Sequence, residues 1–290
     1  MFFSVKRKRI SKFTQEIIFK CFLEENRMNS KEIQEIFYKQ MCLDFNCSME
    51  DLMSRENVFT MRADNPGRRR FYIDDSRIKV LCLRGKIVAS TTPEFADKMK
   101  ENFASCNGAW FSGYGSLKKV DSILSENDYK ISDFHHFYLP TGGEFFTESE
   151  LEEMKEGLEF RHFDVNSVEQ FRGDKRFERA LSFLPDAPDV CAITAEKDGE
   201  ILGMAGASAD SPMMWQIGID VTQESRGRNI GQLLTVMLKR EILESGHLPF
   251  YGTAESHIQS QKVAVKSGFA PAWAELASAP VNDDKNLTFG

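Results

Sequence analysis

At 290 residues, with 41% hydrophobic and 28% charged residues, the chain has the composition of a globular protein long enough for two domains, and not that of a disordered one. A formal net charge of −7 gives no general affinity for polyanions, so KRKR at 6–9 and GRRR at 67–70 read as solvated charge and not as nucleic-acid contacts. The six cysteines (Cys21, Cys42, Cys47, Cys82, Cys106 and Cys191) show no CxxC spacing and no accompanying histidine pattern, which argues against a zinc site or a disulfide framework and for reduced thiols in a cytoplasm.

The opening MFFSVKRKRISKF has charges where a secretion signal needs an apolar run, and no stretch of the chain has the apolar length of a membrane span. Helical spacing runs over 15–25 and 30–45, the second starting at Ser30 or capped by Asn29. Residues 71–91 alternate around Arg84-Gly85 and read as a hairpin. PEFADKMKENFA and SLKKVDSILSEN return to helical spacing, and YKISDFHHFYLP is extended. His135 and His136 are neighbours on that strand and point to opposite faces, so they do not converge on a metal ion. The acidic, glycine-containing TGGEFFTESELEEMKEG reads as a connection holding a short helix. Residues 1–140 are therefore expected to form an α+β domain, joined by 141–158 to a second domain.

From 159 the expected order is a strand (LEFRHFD), one or two helices (NSVEQFRGDKRFERALSF), and two strands joined at Asp198-Gly199. MMWQIGIDV is a further strand, and helix 229–245 presents Ile230, Leu233, Leu234, Met237 and Leu238 on one face before Gly246. LPFYGTA, a helix over SHIQSQKVAVKSG and the strand FAPAWAELA complete the domain, leaving 279–290 as a tail. Between the strand and helix 229–245 lies VTQESRGRNIG. Free backbone N–H groups and the helix dipole make such a turn an anion site, and Arg226 and Arg228 add full charges.

This order of elements, with VTQESRGRNIG followed by SHIQSQKVAVKSGF, resembles the GNAT superfamily of N-acetyltransferases over about 159–278. The family signature Q/R-x-x-G-x-G/A maps onto Arg226, Gly227, Arg228, Asn229, Ile230 and Gly231. Asn229 replaces the middle glycine, and asparagine tolerates left-handed backbone. Gly268-Phe269 fits the end of the second helix, Ser260 fits its small position, His257 stands where asparagine is usual, and Ala264 where many members carry a tyrosine.

The resemblance implies a C-terminal GNAT-like mixed central sheet flanked by helices; with the separate N-terminal α+β domain read above, whose hairpin and SLKKVDSILSENDYKISDFHHFYLP faintly echo a degenerate GNAT-like half, the protein is expected to be α/β (α+β). The resemblance also implies acetyl-CoA as co-substrate and no metal, with the arm on backbone groups of Ile219 and Val221, the pyrophosphate on Arg226 to Gln232, and His257 and Ser260 alongside. Candidate acids and bases are Asp220, Glu255, Tyr251 and His257. The implied activity is acetyl transfer to a primary amine. Trp215, Tyr251, Asp220 and Glu255 near the site mouth favour a small cationic amine over a peptide. The alternative is a catalytically silent acyl-CoA-binding module. Neither nucleic acid nor membrane is expected as a partner, and a homodimer is admitted.

Overall fold

The structure, a computed structural model, describes residues 28–70, 76–142 and 145–282. The expected helix at 15–25, the KRKR run and most of the 279–290 tail lie outside them. Helix α1 (Ser30–Phe45) is capped by Asn29, whose side chain accepts from the N–H groups of Lys31 and Glu32 while Glu32 accepts from Asn29 N–H. The short α2 (Met49–Met53) and strand β1 (Val58–Met61) follow, neither expected from the sequence. Strands β2 (Ile78–Leu83) and β3 (Lys86–Thr91) form the expected hairpin, with Arg84 at φ 54° and Gly85 at φ 80°. Then come α3 (Pro93–Phe103), α4 (Tyr114–Ser125), β4 (Tyr129–Pro140) and, inside the connection, α5 (Glu148–Lys155).

After β5 (Glu159–Asp164) the expected helices of 166–183 are absent. Two 3-10 turns, Val168–Phe171 and Lys175–Phe177, stand in their place. Gly173 at φ 86° breaks the run, the Asp174 side chain caps the second turn, and Asp220 holds the segment after it, so a continuous helix cannot form. Strands β6 (Asp189–Lys197) and β7 (Glu200–Ser208) pair through Asp198-Gly199. Next come β8 (Met214–Val221), α6 (Ile230–Glu244), β9 (Leu248–Ala254), α7 (Ile258–Lys266) and β10 (Phe269–Pro280).

All ten strands join one mixed sheet in the order β1-β3-β2-β10-β4-β9-β8-β7-β6-β5. The last strand, β10, lies antiparallel between β2 and β4, and β4 in turn pairs with β9. Strands from before and after the 141–158 connection thus alternate across the middle of the sheet. One face of β6 to β9 is covered by α6 and α7 through Ile193, Ala205, Ile217, Leu234, Leu238 and Ala264. The other face carries α1, packed on Phe137, Phe250 and Trp273, and the two 3-10 turns, packed on Ala192 and Met204.

Within GRRR, Arg69 is not solvated. It is 2% exposed, bonds Asp44 at 2.5 Å and also Glu275, and lies 5.4 to 5.8 Å from the ring centroids of Phe137, Phe250 and Trp273. Two carboxylates compensate the buried guanidinium and tie α1, the 62–70 segment and β10 together.

Candidate active site

Strands β8 and β9 run parallel and paired from Met214↔Leu248 as far as Ile217↔Tyr251, and there they part. Beyond that point β8 continues alongside β7 to Val221, and β9 alongside β4 to Ala254. The gap between them is a cleft of about 830 Å³. Thr222 N–H donates to Leu202 O, so by alternation the main-chain groups of Asp220 and Gly218 also face β7, and those of Val221 and Ile219 face the cleft. Each has an N–H and a C=O available there to an extended ligand.

The turn at the mouth of the cleft follows from its residues. A 3-10 turn (Gln223–Ser225) leads to Gly227 at φ 80° and Asn229 at φ 61°, the left-handed conformation that asparagine tolerates. Among the described residues, no acceptor is bonded to the N–H groups of Gly227 through Gln232. Three of these belong to the first turn of α6, where the dipole favours an anion. Arg226, Arg179, Lys262 and Lys266 also line the cleft, against one acid, Asp220. In a chain of net charge −7, this is a local concentration of positive charge. Arg228 is exposed and is not part of the cleft wall. A Cβ at Gly231 would meet Val221 Cγ2 at 3.4 Å, Val263 Cγ2 at 3.7 Å and Ile219 Cγ1 at 3.8 Å, so the glycine keeps the cleft wide without being forced by packing.

The cleft opens to both faces of the sheet. On the α6 and α7 side, Tyr251 Oη and Ser260 Oγ are hydrogen-bonded at 2.9 Å, and burial pushes the tyrosine up to about 12. Ala264 is fully buried on the core face of α7 and forms no part of the cleft wall. His257 occupies the N-cap position of α7 without a capping bond; burial, then the charges of Arg179 and Arg226, lower its pKa, so it is neutral at neutral pH. On the opposite face, Asp220 Oδ2 accepts from the N–H groups of Arg179 and Ala180 at 2.9 and 3.0 Å. Burial raises the Asp220 pKa, and those two N–H groups oppose the rise. This contact seats the 179–181 backbone on the sheet at two glycines: a Cβ at Gly218 would lie 2.0 Å from Arg179 O, and one at Gly206 2.1 Å from Ala180 O.

Of the residues expected at the site, Asp220, Tyr251, His257, Ile219, Val221, Arg226, Gly227, Asn229, Ile230, Gly231, Gln232 and Ser260 line the cleft. Glu255 does not; it pairs with His136 at 3.1 Å. Trp215 also lies off the cleft, stacked on His247 with centroids 3.9 Å apart. Arg179, Gln216, Thr253, Lys262 and Lys266 line it without having been singled out from the sequence. The spacing of Lys262 and Lys266 on α7 could have marked those two, whereas Arg179 reaches the cleft only through the seating of its segment on the glycines.

An N–H row for phosphate, a cationic rim and an unpaired strand edge for an amide-bearing arm suit coenzyme A. The family model of the acetyltransferase (GNAT) family matches residues 151–269. That segment is a GNAT acetyltransferase domain. The expected GNAT-like sheet in the C-terminal region, with a helix-plus-strand part before it, is the observed fold. Among solved structures, the chain is similar to a GCN5-related N-acetyltransferase-like protein of Streptococcus suis, at 15% identity over 74% of this chain and 88% of that one, with a TM-score of 0.44. An acetyltransferase of the GNAT family from Colwellia psychrerythraea gives 13% identity over 71% and 83%, with a TM-score of 0.39. The yncA protein of Salmonella typhimurium, solved with its cofactor acetyl-CoA, gives 11% identity over 44% and 96%, with a TM-score of 0.32. No protein with a curated description matches the sequence. Among the described residues, no helix is long and apolar enough to cross a membrane.

Proposed function

We propose that this protein transfers the acetyl group of acetyl-CoA to the primary amine of a small molecule, in the cleft between β8 and β9. The observation that carries the reading is the parting of β8 from β9 after Ile217↔Tyr251, directly beside the row of unbonded N–H groups from Gly227 to Gln232. The pyrophosphate lies on that row with Arg226, and the pantetheine arm runs along the free edge at Ile219 and Val221 as an added strand would.

The amine enters from the Gly218 face, opposite α7. Its lone pair forms the C–N bond at the thioester carbonyl, whose oxygen takes up charge and is met by the N–H of Ile219. Asp220, with Oδ1 free of described partners and a raised pKa, accepts the proton the nitrogen loses. The C–S bond then breaks and the electron pair leaves on sulfur. A thiol of ordinary pKa about 8.5 is a tolerable leaving group, and the Tyr251–Ser260 hydroxyl pair on the α7 side supplies it a proton. Base and acid thus lie on opposite faces of the sheet, with the thioester between them. The cationic rim belongs to the donor. Of the four residues that favoured a cationic acceptor, only Asp220 and Tyr251 line the cleft.

Calorimetry with acetyl-CoA tests the binding half, and thiol release across a panel of primary amines tests the transfer. No heat at millimolar acetyl-CoA removes the reading. Binding without thiol release from any amine replaces it with that of a silent acyl-CoA-binding module.

A further inference from the structure

We propose that the hydroxyl of Thr253 is a binding group for the pantetheine arm of the acyl donor, a role that rests on the acetyl-CoA reading above. Among the described residues, three buried polar side-chain atoms have no hydrogen-bond partner: Arg69 Nη1, Thr92 Oγ1 and Thr253 Oγ1. Arg69 is enclosed in the aromatic and carboxylate core, and Thr92 precedes α3 at the far end of the sheet. Thr253 alone of the three lines the cleft. It is 6% exposed, and a buried hydroxyl left unsatisfied is costly enough that such groups nearly always find a partner.

Its position fixes what that partner is. Thr253 follows Tyr251 by two residues on β9, so both side chains project toward α7. Tyr251 is already satisfied by Ser260, and Thr253 is not. Extending the Ile217↔Tyr251 register past the split sets Thr253 across the gap from Ile219, whose main-chain N–H and C=O face the same space. On the same side of the cleft β8 contributes the apolar Ile219 and Val221, and α7 contributes Val263 beside Ser260, whose hydroxyl is engaged with Tyr251. An arm carrying amides that ran along β8 would bond Ile219 on one side and pass two β9 hydroxyls on the other, that of Tyr251, already bonded to Ser260, and that of Thr253, which has no partner. The adenosine and phosphates, held at the Gly227–Gln232 turn, lie beyond its reach along the cleft.

The test compares Thr253→Val, which keeps the branched shape and removes the hydroxyl, with Thr253→Ser, which keeps the hydroxyl. Two probes are titrated by calorimetry: coenzyme A, and adenosine 3′,5′-bisphosphate, which has phosphates and no pantetheine. The valine variant is expected to bind coenzyme A roughly three- to tenfold more weakly and the bisphosphate as the parent does, with the serine variant within about twofold of the parent for both. Unchanged coenzyme A affinity in the valine variant overturns the proposal. So does an equal loss for both probes, which would be the signature of a collapsed cleft and not of a lost contact. If the parent protein binds neither probe, the acetyl-CoA reading itself fails and takes this role with it; the parent's own titration separates the two failures.

Discussion

Tyr251 Oη and Ser260 Oγ, 2.9 Å apart, bridge the last residue of β9 that pairs with β8 and the first turn of the helix above it. The bond joins the point where the strands part to the roof of the cleft. Burial pushes the phenol up to about 12, so it is protonated at neutral pH, and the same shift makes it a weaker acid whose donation to the departing sulfur contributes modestly. Tyr251→Phe is expected to lower kcat for thiol release about ten- to a hundredfold, below the largest general-acid effects because the thiolate leaves readily. Acetyl-CoA affinity by calorimetry should change little. An unaltered kcat would remove the phenol from the reaction.

The two arginines of the turn should separate in experiment. Arg226 lines the cleft and Arg228 does not, although the signature spans both. Arg226→Ala is expected to weaken acetyl-CoA binding by about 1 to 2 kcal/mol, the range of a charge-assisted phosphate contact reduced for solvent exposure, and the loss should shrink as salt is raised. Arg228→Ala should stay within about 0.5 kcal/mol of the parent. Equal losses for both would mean that the whole turn acts as a diffuse field.

The sequence disclosed what is local. The caps of α1, the β2–β3 hairpin, the face of α6 and the left-handed Asn229 are set by residues within a few positions of one another, so periodicity and turn chemistry reach them. The insertion of β10 between β2 and β4 depends on partners far apart in the chain, and no local pattern announces it. Arg69 was hidden for the same reason: a guanidinium in a run of arginines reads as surface until Asp44 and Glu275 converge on it from distant elements. The cleft was half legible. Its β8 wall and turn lie in one continuous motif, whereas Arg179 and Thr253 join it only through tertiary placement.

Two glycines of the cleft should respond in opposite ways. Gly218→Ala drives a Cβ to 2.0 Å from Arg179 O, a backbone atom that cannot step aside, and is expected to destabilise the fold by about 1 to 3 kcal/mol or more. Gly231→Ala makes only ordinary contacts of 3.4 Å and longer, so its thermal midpoint should hold while acetyl-CoA binding weakens as the cleft narrows. Thermal melts and calorimetry on both variants check the contrast.

Asp220 and Glu255 divide by location. Asp220→Asn is expected to lower kcat and remove the acidic limb of the kcat/KM profile, a limb set above the ordinary carboxylate range because burial raises this pKa. Glu255→Gln, at a residue engaged with His136 outside the cleft, should leave the limb in place. If the asparagine variant keeps the parent's profile, neutral His257 is the remaining cleft residue able to take the proton.

Asp210 makes stability depend on pH in a direction opposite to that of a salt-bridged acid. Burial raises its carboxyl to about 7 from an ordinary value of 3.8, against the hydrogen bond from Ser208 and the charge of Arg69. Between those two values the folded protein holds a proton that the unfolded chain has released, so stability falls as pH rises from about 4 to about 7 and the penalty is complete above that. Asp210→Asn cannot ionise, and its amide oxygen can still accept from Ser208. Its thermal midpoint should match the parent near pH 4 and exceed it at pH 8, by a free energy on the order of a few kcal/mol. Subtracting parent from variant at each pH cancels the titration of distant groups, which act alike in both. A gap that is constant across this range would mean that the folded carboxyl ionises like an unfolded one and that its burial is relieved by structure the fold does not display at rest.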